Sequence, residues 1–461
     1  MTYALLYFFL FNAKIFLGAS PLLKFLPNVI LLFGIIRYTA LKKSKLYFKV
    51  PLLNSHLYLW IGFLFIFAVS ILRTAREGAT FIGHFNDLAS IFLFCLLIYL
   101  FISSRFRFAR YYNPAFFEFV LTRYTLKILR IPTIAVTVLF AIYLIGYNHP
   151  ATVIMRNGEP MVMLKALGVS MVKKAVPFTG GTHPTLFGIW AGATFVMNAM
   201  ALATIWLKRG KRRKMYFGEI AILGFLIFAD SRGTMLITLL TVLVVYLCFK
   251  FRIAGFLRWF VLIVPVLPFV FTATMGFFAQ TSLAETVARG DRGVENLTTL
   301  SARTVIWQEC LEEIRDPDPI HLVGWGEHGQ GTAGVARRYA HIFPKEHYED
   351  TSLIVTHNFF FQAFFEVGYL GIGFILLVLF VGMNHAIKLY HRGFRVSLIY
   401  IGFLVYFVLS GALESTFGNH FKAYTLVFMM MTTALYTFRS EYNRMLLKGM
   451  PENHDSGDQR R

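Results

Sequence analysis

Long apolar runs recur through this chain, and they leave few choices of fold. A helix needs about 20 apolar residues to cross a hydrocarbon layer of ~30 Å. Runs of that order lie near residues 3–19, 21–38, 57–72, 87–104, 131–147, 185–207, 215–229, 233–249, 258–277, 358–387, 396–412 and 421–438. Apolar residues make up 57% of the 461 and charged residues only 15%. Soluble domains carry about 25% charged residues. The expected fold class is therefore an all-α polytopic membrane protein of 12 transmembrane helices, with the bundle itself as core. Lys14 and Lys24 fall within the first two runs, where such side chains snorkel to an interface. No small-residue cleavage site follows the first run, so it reads as a retained span.

A formal net charge of +21 suggests nucleic acid at first sight. The positions of the cations argue against it, and no nucleic-acid partner is expected. They fall in short runs between apolar segments, as the positive-inside rule requires. With the N-terminus in the cytoplasm, the inner loops and tail hold 28 basic residues and the outer side 15. Both termini are thus expected to be cytoplasmic. Cys95, Cys248 and Cys310 form no framework, and the first two lie in apolar segments, so no disulfide or metal cluster is implied.

The runs divide the chain into four parts. Residues 1–277 hold helices one to nine with short loops, and 278–357 form an outer loop subdomain between helices nine and ten. Residues 358–438 hold the last three helices, and 439–461 form an inner tail. The loop subdomain carries 12 Asp and Glu against 7 Arg and Lys. Helical periodicity covers about Leu300–Ile314. Asp316-Pro-Asp-Pro319 stops that helix, because proline lacks an amide donor and clashes with the preceding turn. Gly324-Trp-Gly-Glu-His-Gly-Gln-Gly331 is too glycine-dense for regular structure. On the inner side, 104–130 reads as a basic amphipathic stretch lying on the membrane surface, or as a plain solvated loop.

Polar residues gather where the outer segments meet the bundle. From Thr351 to Gly371 the chain passes from polar loop to aromatic helix. Asn358, Gln362 and Glu366 are spaced by four within it, so they form one polar stripe. Such side chains in a membrane helix normally face a cavity or the bundle interior. His357 stands at the top of the stripe. It is either a helix-end histidine bonded to a neighbour or a general base, the usual role of a neutral imidazole near pH 7. Arg232, in Asp230-Ser-Arg-Gly233, is held at the interface by the apolar runs on either side. It pairs with Asp230, snorkels, or clamps an anion, since a guanidinium forks onto phosphate oxygens. Arg303, in Ser301-Ala-Arg-Thr-Val-Ile-Trp307, opens the loop helix, an odd place for a cation on macrodipole grounds alone. Arg73 and Arg76, beside Glu77, sit at the outer end of the third run and suit a helix anchor. The chain has no H-E-x-x-H, no Cys-x-x-Cys, no Walker loop and no G-x-S-x-G. No metal, nucleotide or other cofactor is therefore expected.

Three of these stretches together resemble the O-antigen ligase and O-antigen polymerase superfamily of membrane glycosyltransferases. Ser231-Arg-Gly-Thr-Met-Leu236 is similar to its S-R-G hairpin, with Arg232 in the R-x-x-x-L position. Arg303-x-x-x-Trp307, followed by Asp316-Pro-Asp-Pro-Ile-His-Leu-Val-Gly-Trp-Gly326, is similar to its outer-loop helix and Gly-x-Gly turn. His357-Asn358, nine residues, and Gly368-Tyr-Leu-Gly371 fit its H-[N/S/Q]-x9-G-x-x-G signature. The resemblance covers about 225–385. It implies a GT-C-like bundle with a large periplasmic helical loop, in the bacterial inner membrane. Members transfer a glycan from undecaprenyl diphosphate to an acceptor at the periplasmic face, without a metal or cofactor. The acceptor is lipid A–core for a ligase and the growing glycan for a polymerase. The resemblance implies His357 as general base, Arg232 and Arg303 on the diphosphate, and Asn358, Arg73 and Arg76 as substrate contacts. A flippase for lipid-linked glycan, the reading from another class, requires matching broken helices in two halves, and the sequence has none.

Overall fold

A computed structural model describes residues 21–40, 68, 81–107, 113–145, short pieces between 155 and 172, 184–205, 209–228, 232–268, 270, 303–326, 328–342, 354–414 and 422–449. The first part of the bundle comprises α1 (Pro21–Ala40), α2 (Phe81–Arg107), α3 (Pro114–Ile145), α4 (Pro184–Thr204), α5 (Arg209–Phe228), α6 (Arg232–Lys250) and the short α7 (Leu257–Ile263). The loop contributes α8 (Arg303–Arg315), α9 (Gly329–Thr332) and α10 (Val335–Tyr339). Then come α11 (Phe359–His391), α12 (Leu398–Leu413) and α13 (Lys422–Gly449). Two two-residue antiparallel pairings, Met155–Arg156 with Glu159–Pro160 and Val162–Met163 with Met171–Val172, interrupt this helical pattern.

The protein is helical and membrane-embedded. Among the described residues, five helical segments are long and apolar enough to cross a membrane: Pro114–Ile145, Phe187–Thr204, Gly233–Lys250, Phe359–His391 and Arg395–Leu413. The expected runs 3–19 and 57–72 lie almost wholly outside the described residues. In α6, Leu236 and Leu239 are more than half exposed. In water, a patch built from such residues is a liability; on a membrane helix it is the lipid contact. The central pillar is α12, buried along nearly its whole length. It packs on α4, α6 and α11. At the crossing with α4, the Tyr406 hydroxyl donates to the Ile189 carbonyl at 2.8 Å. A Cβ on Gly192 would strike the Tyr406 ring and the Thr238 hydroxyl. A missing side chain there lets the helix backbones approach, as in other membrane bundles.

One reading of the inner face needs correction. Residues 114–130 are not a surface stretch separate from the fifth span. They continue into it as the single 32-residue α3, with Pro132 inside. The basic residues misled because they snorkel: the Lys127 amine sits 4.8 Å from the Tyr124 ring centroid and the Arg123 guanidinium 5.6 Å from that of Phe119. The face turned into the bundle buries Phe117, Leu121, Tyr124 and Ile128.

A second core lies where the loop meets the bundle. Ile306, Trp307 and Cys310 of α8 join Val335, Ala336 and Tyr339 of α10 against Phe361, Phe364 and Phe365 of α11. The aromatic start of α11 thus faces the loop rather than lipid. As expected, α8 ends at Arg315, immediately before Asp316-Pro317. The glycine-dense stretch is more ordered than expected, since Gly329–Thr332 closes one helical turn.

Candidate functional site

The site is built on a break in α11. Gly368 adopts φ 65°, ψ −170° inside an otherwise helical run. In an unbroken helix, the carbonyls of Phe365 and Glu366 would accept from amides four residues on. Here they accept from the loop: Trp325 N–H donates to Phe365 O at 2.7 Å and Gly326 N–H to Glu366 O at 3.1 Å. A Cβ on Gly368 would lie 2.5 Å from the His321 carbonyl oxygen, and one on Gly324 (φ +76°) 2.6 Å from the Glu366 carbonyl carbon. Two glycine motifs far apart in sequence are therefore the two sides of one backbone contact. Both need glycine, for space and for positive φ.

The stripe spaced by four is spent on this docking. The Gln362 amide donates to Gln330 Oε1 and Glu366 Oε1, each at 2.8 Å. The Gln330 amide donates in turn to the Ile354 carbonyl at 3.0 Å. Asn358 is the N-cap of α11: its Oδ1 accepts from the amides of Phe360 and Phe361 at 2.8 and 3.0 Å. Its Nδ2 donates to the Ala412 carbonyl at 2.9 Å. Capping and cross-linking thus occupy the Asn358 amide, which is fully buried. The bond to Ala412 pins the start of α11 to the end of α12.

That pin brings His357 next to Glu414, the C-cap of α12. His357 Nδ1 lies 3.1 Å from Glu414 Oε2. The other carboxylate oxygen, Oε1, accepts from Arg303 Nη2. A chain Arg303–Glu414–His357 results, drawn from α8, α12 and the turn before α11. The three side chains are 23%, 25% and 30% exposed, so the group opens to solvent on one side. His357 holds φ 50°. A non-glycine residue in the left-handed region is uncommon, and surrounding contacts must hold it there. Those contacts come from both neighbours. The Thr356 hydroxyl donates to the Asn358 carbonyl at 2.8 Å, and Trp307 Nε1 donates to the Thr356 carbonyl at 3.1 Å.

The R-x-x-x-W spacing now has a physical basis. Arg303 and Trp307 are one turn apart on α8, so they share a face. The buried Trp307 anchors that face on the segment before His357, and the anchor presents Arg303 to Glu414. The carboxylate also explains a cation at the start of a helix: an anion across the contact offsets the unfavourable macrodipole. Burial pushes the Glu414 carboxyl up. The Arg303 charge, with the hydrogen bond and charge of His357, outweighs burial and holds it below the ordinary glutamate value. Glu414 is therefore an anion at neutral pH. With a proton on Nδ1 directed at it, the imidazole carries its lone pair on Nε2.

Arg303 and His357 meet through a residue that sequence reasoning missed. Glu414 lay in no recognised motif; its one signal was a carboxylate directly after an apolar run. For Arg232, the structure gives the place of the backbone. Phe249, near the far end of α6, packs on Tyr390, near the far end of α11, with ring centroids 4.3 Å apart. The two helices therefore run the same way, and Arg232 opens α6 at the end of the bundle that carries His357. The Arg232 side chain lies outside the described residues, as do Arg73 and Arg76 entirely.

Residues 217–376 match a family model described as O-Antigen ligase. The match covers Arg232, Arg303, His357 and both glycine motifs, and it ends before Glu414. Comparison with curated proteins finds no match. The matched segment, about a third of the chain, is thus similar to the O-antigen ligase family and supports the resemblance read from the three motifs.

Proposed function

We propose that the protein is an O-antigen ligase that joins a glycan from undecaprenyl diphosphate to lipid A–core at the periplasmic face of the inner membrane. The observation that carries this reading is the Arg303–Glu414–His357 chain at the loop end of the bundle. Transfer from a diphosphate ester needs two things there. The acceptor is a sugar hydroxyl whose pKa lies far above 7, so a base must take its proton during attack. The leaving group is a diphosphate whose growing charge needs cations already in place.

In the proposed step, His357 Nε2 takes the proton of the acceptor hydroxyl. The hydroxyl oxygen forms a bond to the anomeric carbon. The bond from that carbon to the diphosphate oxygen breaks, and its electron pair leaves on the diphosphate. Glu414 steadies the imidazolium as it forms. Arg303 contacts the diphosphate at the edge of its pair with Glu414, and Arg232 reaches it from α6. One displacement inverts the anomeric configuration. The energy is stored in the donor, so the step needs neither nucleotide nor metal.

The test is His357→Ala in the producing cell, with surface polysaccharide and lipid-linked glycan measured together. A ligase predicts loss of capped lipopolysaccharide and a build-up of long lipid-linked polymer. A build-up of single repeats would reassign the protein as a polymerase. Repeats trapped at the inner face would indicate a flippase, and unchanged polysaccharide would remove His357 from the chemistry.

A further inference from the structure

The opposite end of the bundle holds a second cluster of cations that the transfer chemistry does not use. Arg439, on α13, is only 9% exposed. Neither its Nε nor its Nη1 has a hydrogen-bond partner among the described residues. Its guanidinium lies 5.6 Å from the Tyr442 ring centroid. The Arg392 guanidinium lies 4.8 Å from the same centroid. Phe117 and Phe394 pack edge-on against Tyr442, at 5.1 and 5.5 Å between centroids, and fix the ring.

Among the described residues, no carboxylate pairs with Arg439. A buried guanidinium normally meets a carboxylate. Here the nearby cation is another arginine. Burial first, and the charge of Arg392 second, lower the pKa of Arg439. The closest acidic neighbour in sequence, Glu441, faces Arg444 at 3.8 Å. Cation–π contact with one tyrosine offsets less than the cost of burying a charge. Lys388, Arg392, Arg395 and Arg444 are all exposed at this end, so the local field attracts an anion.

We infer that Arg439, Arg392 and Tyr442 form a binding site for a phosphate group of net negative charge, with no cation on the same headgroup, at the end of the bundle remote from His357. Two forked guanidiniums suit phosphate oxygens. The site lies where α13 leaves its apolar run, at headgroup depth. Phe119 and Leu446, on the two helices that supply Phe117 and Tyr442, are exposed apolar side chains. A phospholipid headgroup and a small free phosphate share this chemistry, and the experiment separates them.

Purified, delipidated full-length protein is titrated with phosphatidylglycerol, with phosphatidylcholine and with inorganic phosphate. Binding is read by native mass spectrometry and by thermal melting. Wild type is expected to bind phosphatidylglycerol about tenfold more tightly than phosphatidylcholine, the loss expected from one charge-assisted contact. Arg392→Gln, at an exposed position that leaves the core intact, is expected to abolish that preference. Arg439→Lys keeps the charge without the fork and is expected to fall between the two. Equal protection by inorganic phosphate, lost in Arg392→Gln, would keep the site and assign it to a small anion. Equal binding of both lipids by wild type, with no effect of phosphate, would overturn the inference. So would an unchanged preference in Arg392→Gln.

Discussion

Glu414→Gln is the sharpest test of the candidate site, because it keeps the shape of the side chain and removes its charge. In the structure, the carboxylate accepts from Arg303 and faces His357 Nδ1 at 3.1 Å. Both contacts weaken when the acceptor is neutral. A hydrogen bond to a charged group contributes about 1.5–3 kcal/mol, and a neutral one about 0.5–1.5 kcal/mol. The difference is felt most when the imidazole becomes cationic, which is in the transition state. A loss of roughly 1–1.5 kcal/mol corresponds to about a fivefold to tenfold fall in kcat. KM should change little, because the donor's remote contacts are untouched. The assay is transfer by purified protein from a synthetic polyprenyl-diphosphate glycan, with melting curves to verify the fold. Glu414→Asp retains the charge with a shorter reach and is expected to lose less. If Glu414→Gln transferred within twofold of wild type while His357→Ala were inactive, the carboxylate would have no part in orienting the base.

Three further outcomes follow from the same geometry. Gly368→Ala places a Cβ 2.5 Å from the His321 carbonyl at positive φ; strain and overpacking together cost about 2–5 kcal/mol, read as a lower melting temperature and faster proteolysis of the loop. Trp307→Phe keeps most of the packing but leaves the Thr356 carbonyl without its Nε1 donor; a cost of about 1–3 kcal/mol should lower transfer more than it lowers expression. Stability should depend on Glu414 in one pH window: its pKa is lowered in the folded state, so its contribution is complete above the unfolded value of about 4.3. That contribution is lost as pH falls through the lower native value. The melting difference between wild type and Glu414→Gln should then be present at about pH 5 and shrink as pH falls below about 4.3. A difference that persisted undiminished well below about pH 4 would contradict the ion pair.

How much of this was legible in the sequence varies by element. The five apolar spans found among the described residues were, because a long apolar run states its own environment. So was the loop helix, through its periodicity and the Asp-Pro stop after Arg315. The glycines of 324, 326 and 368 were visible as letters, and their meaning was not. Each is needed because another backbone arrives from a distant part of the chain. The polar stripe of Asn358, Gln362 and Glu366 was legible as a stripe, but its direction was not, since spacing gives a face and not its neighbour. Pro132 and the cations before it concealed a helix that continues through them, because aromatic rings on α2 and α3 hold the snorkelling Lys127 and Arg123.

The sequence alone determined the helical class with apolar spans, the helix at Arg303–Arg315, and the identity of Arg303 and His357 as unusual polar residues. Tertiary structure decided that these two converge, and that they do so on Glu414. Glu414 stands 57 positions from His357 and 111 from Arg303 along the chain. Local propensity carries no information over such separations. Only the packing of α12 against α11, with Asn358 bonded across to Ala412, turns three residues that share no local pattern into one hydrogen-bonded group.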